Sequence, residues 1–177
     1  MDDVVVSTTG KISREVYEQS EDIRGNHSQC FLTVGGMGQA SMLALGIAKE
    51  NTNKRVYCID GDGSILMHMG NLAFISRQNP VNMVHICLNN DVHESVGGIP
   101  TGGCGIDYEK IAKACGYPCT YMADNDSQLQ KVLKEVASRK ELTFIEVKVN
   151  LQVRKDLGRP KESAEENKIE FMRYHAR

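Results

Sequence analysis

Two apolar runs, residues 56–59 and 83–88, flank a segment with helical spacing, and that order leaves the chain few possible folds. Ile65, Leu66, Met69, Leu72, Ala73 and Ile75 recur on one face of a helix predicted over 64–78, so the three pieces read as strand, helix, strand. Such a unit joins parallel strands by a right-handed crossover, and parallel strands sit in sheets covered by helices on both faces. The turns that close the two strands therefore stand at one edge of the sheet. They are Gly61-Asp62-Gly63-Ser64 and Asn89-Asn90, with the twenty-five residues 64–88 between them.

The carboxyl edge of an open α/β sheet is where ligands bind. Glycines at 61 and 63 let backbone N–H groups approach a phosphate, while the Asp62 carboxylate and the Asn90 side chain can share the divalent cation that a diphosphate brings. Mg²⁺ suits such a pair, because it takes one or two protein oxygens and fills its other positions with phosphate oxygens and water. Gly-Asp-Gly alone also occurs in ordinary surface turns. Its pairing with Asn-Asn one crossover later is what gives it weight.

The rest of the chain extends the same pattern. A strand over 4–7 is followed by a helical segment through Val16 and Tyr17, and polar residues 20–30 read as loop. A strand over 31–34 runs into Gly35-Gly36-Met37-Gly38, which reads equally as a ligand-facing loop or as a plain strand-to-helix turn. The helix after it is rich in small residues (Ala40, Ser41, Ala44, Gly46, Ala48) that permit close approach to the sheet. Beyond Asn90, residues 96–105 hold five glycines and are expected to form an active-site loop without regular structure. A helix over 107–115, a strand over 118–122, a helix capped by Asn125 with Gln128, and a last strand over 144–149 follow. Ser163 and Glu166 form a capping box for a terminal helix. The expected fold class is α/β, a doubly wound, mainly parallel sheet with helices on both faces.

Length and composition narrow the function. At 177 residues, the chain is expected to be one domain, 1–177. A net charge of -2 argues against a nucleic-acid partner, and no run approaches the ~18 apolar residues of a membrane helix. Met1-Asp2-Asp3-Val4 lacks the basic start of a secretory signal, so a cytoplasmic location is expected. The six cysteines form no C-x-x-C pair, which predicts reduced, packed thiols rather than a zinc motif. No G-x-G-x-x-G follows the first strand, which disfavours a nucleotide-dependent oxidoreductase.

Seven stretches together resemble a known family. They are Ser7-Thr8-Thr9-Gly10-Lys11, Phe31-Leu32-Thr33-Val34-Gly35-Gly36-Met37-Gly38, Ile59-Asp60-Gly61-Asp62-Gly63, Leu66-Met67-His68-Met69-Gly70, Leu88-Asn89-Asn90, His93-Glu94-Ser95-Val96-Gly97-Gly98 and Asp156-Leu157-Gly158-Arg159-Pro160. The chain resembles the diphosphate-binding, C-terminal half of the phosphonopyruvate decarboxylases. The sulfopyruvate decarboxylases, sometimes split into two subunits, share much of the pattern.

The resemblance implies a thiamine diphosphate-binding fold, with thiamine diphosphate and Mg²⁺ as cofactors. It implies that Asp62, the Asn90 side chain and the Val92 carbonyl hold Mg²⁺, and that Gly61, Gly63 and Ser64 form the turn facing the diphosphate. Met37 falls at the family's apolar wedge beneath the bent cofactor, and the Gly35 carbonyl would accept a hydrogen bond from its pyrimidine. His93 and Glu94 are candidates for contact with diphosphate or substrate, the alternative being an exposed loop pair. The implied reaction takes the 2-oxo acid 3-phosphonopyruvate to phosphonoacetaldehyde and CO₂. No stretch provides the pyrimidine-binding domain or its activating glutamate, so that partner is expected on another domain or subunit, and the chain is expected to be oligomeric. A sulfopyruvate decarboxylase beta subunit and a non-catalytic cofactor-binding module remain alternatives.

Overall fold

Val4–Ser7 forms strand β1, with Val4 and Val6 fully buried. After it come α1 (Lys11–Arg24), β2 (Cys30–Leu32), α2 (Ala40–Glu50), β3 (Val56–Gly61), α3 (Asp62–Met67), α4 (Gly70–Gln78) and β4 (Met83–Asn89). Then follow β5 (Val92–His93), a 3₁₀ turn at Glu94–Val96, β6 (Ile99–Pro100), α5 (Tyr108–Ala114), β7 (Cys119–Ala123), α6 (Asp126–Ala137), β8 (Thr143–Lys148) and α7 (Ala164–His175). The structure is a computed structural model, in which residues 3–152 and 154–176 are described. Met1 and Asp2, the start of the segment read above for a signal, lie outside the described residues.

Among the described residues, six strands make one sheet in the order β2-β1-β3-β4-β8-β7, with every neighbouring pair parallel. This is the doubly wound α/β fold that the sequence pattern predicts. Strand residues alternate between two packed faces. Val56, Cys58, Met83, Cys87 and Phe144 join the cluster under α2, α4 and α5, whereas Val84, Ile145 and Val147 pack with Val132 and Val136 of α6. The order of strands reverses between β1 and β3, and at such a switch point a crevice opens outside the carboxyl ends. The register sets Ser7 beside Ile59 and Gly61 beside Leu88, so β3 and β4 end within one residue of each other and β1 two residues before β3. No helix of the described residues is long and apolar enough to cross a membrane.

Several elements differ from the sequence expectation. Helix α1 runs on to Arg24 through residues expected as loop, because Ser13, Tyr17 and Ser20 bury one face and Gly25, at φ 71°, closes the helix with its N–H on the Glu21 carbonyl. Strand β2 stops at Leu32, and Val34 is exposed. The helix over 64–78 is two helices, broken where His68 takes φ -137° and ψ 46°. The first begins at Asp62, which puts the whole Asp62-Gly63-Ser64 segment into its opening turn. Gly46 faces solvent rather than the sheet, whereas Ala40, Ser41, Ala44 and Ala48 are buried. The glycine-rich stretch contains an antiparallel hairpin of β5 and β6, turned by Gly97 and Gly98 at φ 99° and 74°. The capping box of α7 forms as expected; at α6, Asn125 accepts from the Gln128 N–H, but the Gln128 side chain accepts from Asp124.

Candidate functional site

A cavity of about 510 Å³ lies outside the carboxyl ends of β1, β3 and β4. Gly61, Asp62, Gly63, Ser64, Met37, Asn90, Val92, His93 and Glu94 all line it. Gly35 does not: it is exposed, and its N–H donates to Thr9 Oγ1 at 3.3 Å.

The loop at 35–38 is tied to the turn at 61–64 by one hydroxyl. Ser64, fully buried, accepts from the Gly38 N–H at 2.9 Å and exchanges a hydrogen bond of 3.0 Å with Thr8 Oγ1. Gly38 is required there, since its φ is 89° and a Cβ would stand 2.9 Å from the Ser64 carbonyl oxygen and 2.4 Å from the His68 ring. Gly63 is required for a different reason. A Cβ on it would meet the His93 ring at 2.4 Å and Thr101 Cγ2 at 2.9 Å.

Asp62 is 3% exposed, and its Oδ2 accepts from Thr101 Oγ1 at 2.7 Å. Burial pushes its carboxyl pKa up; the Thr101 hydroxyl and the Gly63 N–H pull the other way, and the nearby Asp91 charge adds to the rise. Asp91 sits at φ 62° with Oδ1 buried and unpartnered. The Asp62 carboxylate, with the Asp91 charge nearby and the Asn90 side chain lining the same cavity, offers oxygen donors suited to a hard divalent cation.

The second turn rests on a buried network that the sequence reading missed. Asn89 donates to Glu146 Oε1 at 2.9 Å and accepts from the Asp91 N–H at 3.1 Å. Glu146, 1% exposed, is held further by Lys148 at 2.7 Å and by the Glu109 N–H at 3.0 Å. Only side-chain identity on β8 signalled it: an acidic residue inside an apolar strand. Asn90 Oδ1 accepts from the Val92 N–H at 3.2 Å, and its amide donates to Glu94 Oε2 at 3.4 Å. Glu94 pairs with Lys11 at 3.5 Å. Lys11 is the one lysine or arginine among the described residues lining the cavity.

The family model of the thiamine pyrophosphate enzyme C-terminal TPP binding domain matches residues 9–147. The chain is 39% identical over 160 residues to a phosphonopyruvate decarboxylase of Streptomyces viridochromogenes, a match spanning 90% of this chain and 39% of that protein. It is 33% identical over 144 residues to the sulfopyruvate decarboxylase subunit beta of Methanocaldococcus jannaschii, spanning 81% of this chain and 73% of that subunit. The chain therefore covers about two fifths of the phosphonopyruvate decarboxylases it matches, at 39% and 38%. A solved Mycobacterium smegmatis protein, proposed to be a thiamin diphosphate-dependent enzyme, shares the fold with a TM-score of 0.68 at 23% identity, over 86% of this chain and 29% of that one.

Proposed function

The chain belongs to the thiamine pyrophosphate enzymes through their C-terminal TPP-binding domain, and from that premise we propose that it forms the diphosphate- and Mg²⁺-binding part of a cytoplasmic 2-oxo acid decarboxylase. The substrate we assign is 3-phosphonopyruvate, converted to phosphonoacetaldehyde and CO₂. One observation carries the reading: buried Asp62, with Asp91 unpartnered beside it, opens into the same cavity as Asn90 and Val92. Those oxygens fit Mg²⁺, which Asp62, Asn90 and the Val92 carbonyl would hold.

Thiamine diphosphate, when bound, supplies the nucleophilic carbon and the electron sink for CO₂ loss. The protein supplies position. Ser64, locked by Thr8 and Gly38, fixes the turn that faces the diphosphate, and Gly63 keeps that turn free of a side chain. Met37 lines the cavity and would give the cofactor apolar support. Thr101 belongs to the metal side, because its hydroxyl is committed to Asp62, whereas His93, Ser95 and Lys11 remain to meet the anionic tail of the substrate. A pyrimidine-binding domain or subunit completes the site with its glutamate.

Calorimetry gives the first test. Thiamine diphosphate should bind with Mg²⁺ and not in chelator, and Asp62→Ala should abolish binding; equal affinity in chelator overturns the metal assignment. The second test mixes the chain with a pyrimidine-binding partner and follows CO₂ release from phosphonopyruvate, sulfopyruvate and pyruvate. Cofactor binding without release from any of them favours a non-catalytic module, and preference for sulfopyruvate makes the chain a sulfopyruvate decarboxylase beta subunit. His93→Ala should lower kcat/KM for phosphonopyruvate more than for pyruvate, since a charge-assisted donor is worth about 1.5–3 kcal/mol. Equal losses would place His93 on the cofactor instead.

A further inference from the structure

Cys58, Asp60 and His85 form a cluster of potential ligands inside the sheet, with Cys87 on the same face. The parallel register of β3 and β4 sets Cys58 beside His85 and Asp60 beside Cys87. Alternate residues of a strand face one way, so all four turn to the face packed under α2 and α4, and each is at most 1% exposed. One ligand atom from each of Cys58, Asp60 and His85 lies within 4.8 Å of the others.

Two of these atoms lack a hydrogen-bond partner: Asp60 Oδ2 and His85 Nε2. They face each other at 3.6 Å, too long for a hydrogen bond, and buried polar atoms left this way are costly. The opposite side of each group is anchored. Asp60 Oδ1 accepts from the Gly61 N–H at 2.9 Å, and His85 Nδ1 meets the Tyr117 hydroxyl at 3.2 Å. Both side chains thus present their free atoms to one point. Two ligands about 2.0–2.1 Å from a tetrahedral ion stand about 3.4 Å apart, close to the separation found here.

We propose that Cys58, Asp60 and His85 bind a Zn²⁺-class transition ion. Sulfur, nitrogen and oxygen donors together select such an ion over Mg²⁺. Binding one M²⁺ releases the Cys58 thiol proton to solvent, and thiolate plus carboxylate then cancel the two positive charges, so the buried centre is neutral. Tyr117 on His85 is the outer hydrogen bond that ligating histidines ordinarily carry. Through Asp60 the ion is one hydrogen bond from Gly61, and so braces the turn that presents Asp62. The ligands come as Cys-x-Asp on one strand and a histidine on its neighbour, which is why a search for C-x-x-C passes over them.

Expression in minimal medium with Co²⁺, followed by gel filtration and metal analysis, tests the proposal. One cobalt per chain is expected, with the near-ultraviolet thiolate-to-cobalt charge-transfer band that an all-oxygen site at Asp62 does not produce. Cys58→Ser should abolish the band and Asp62→Asn should leave it. Should Cys58→Ser fail to fold, the wild-type spectrum and His85→Gln decide. No retained cobalt, cobalt without the band, or a band that survives both Cys58→Ser and His85→Gln overturns the proposal.

Discussion

Gly63→Ala should destabilise the chain through two named side chains. The added methyl carbon would stand 2.4 Å from His93 Cε1, 2.9 Å from His93 Nδ1 and 2.9 Å from Thr101 Cγ2. Non-bonded carbons rest at about 3.5–4.0 Å, so the imidazole must retreat by more than about 1 Å and Thr101 by roughly half that. Overpacking of this kind costs about 1–3 kcal/mol. Movement of Thr101 also weakens its 2.7 Å hydrogen bond to Asp62, and losing a bond to a carboxylate costs about 1.5–3 kcal/mol. Against both stands about 1 kcal/mol gained by replacing glycine with alanine in a helix. The net is a loss of about 2 kcal/mol, which for a chain of this size lowers Tm by about 4–8 °C. Thermal unfolding followed by circular dichroism measures it, in the wild-type background and again in His93→Ala with Thr101→Ser. If the reasoning is right, most of the loss disappears in the second background. An equal loss in both backgrounds would refute it, since the contacts would then not be its source.

The remaining predictions concern the charges and surfaces around that turn. Burial holds the Asp62 carboxyl above its ordinary 3.8, so stability tied to its protonated form is present below that value and lost as pH rises through the raised pKa. Urea midpoints of the wild type should therefore fall relative to Asp62→Asn over that rise, and Mg²⁺ at neutral pH should reverse the difference; a difference flat with pH would contradict the desolvation. Asn89→Ala leaves Glu146 without its amide donor and the Asp91 N–H without its acceptor, costing about 1–3 kcal/mol by urea denaturation, and wild-type stability would count against the network. Val34, Val96 and Ile99 are exposed, so the isolated chain should self-associate in sedimentation at micromolar concentration, and a monodisperse monomer would argue otherwise.

What the sequence disclosed was what depends on local pattern. Apolar runs fixed the core strands because a buried parallel strand has no polar face to hide, and Ser163 with Glu166 identified its helix start because that cap is a local hydrogen-bond pair. The two turns at 61–64 and 89–90 were legible for the same reason. Tertiary packing decided the rest. Ser20 reads as a loop residue until α1 is seen to bury it, and the His68 ring, at the break between α3 and α4, packs against Gly38, a residue thirty positions away. The supports of the site, Asp60 with His85 and Asn89 with Glu146, depend on strand register, which no single stretch of sequence states.

That division has a consequence for specificity. The turns at 61–64 and 89–90 both stand on buried polar groups: Gly61 on Asp60 and Asn89 on Glu146. Changing either end of such a pair strands a charge or a donor in the core, so these two turns are expensive to alter. The hairpin side of the cavity is built differently. Lys11 and Glu94 are part-exposed partners at 3.5 Å, and His93 stands on a two-residue strand of a glycine-turned hairpin, where a substitution disturbs little beyond itself. A pair of that kind contributes at most about 1 kcal/mol to stability. On the proposed function, selection between a phosphonate and a sulfonate tail would act on Lys11, His93 and Ser95, whereas Glu94, which accepts from the Asn90 amide, is tied to the proposed cation site; the relatives this chain matches are named for both substrates.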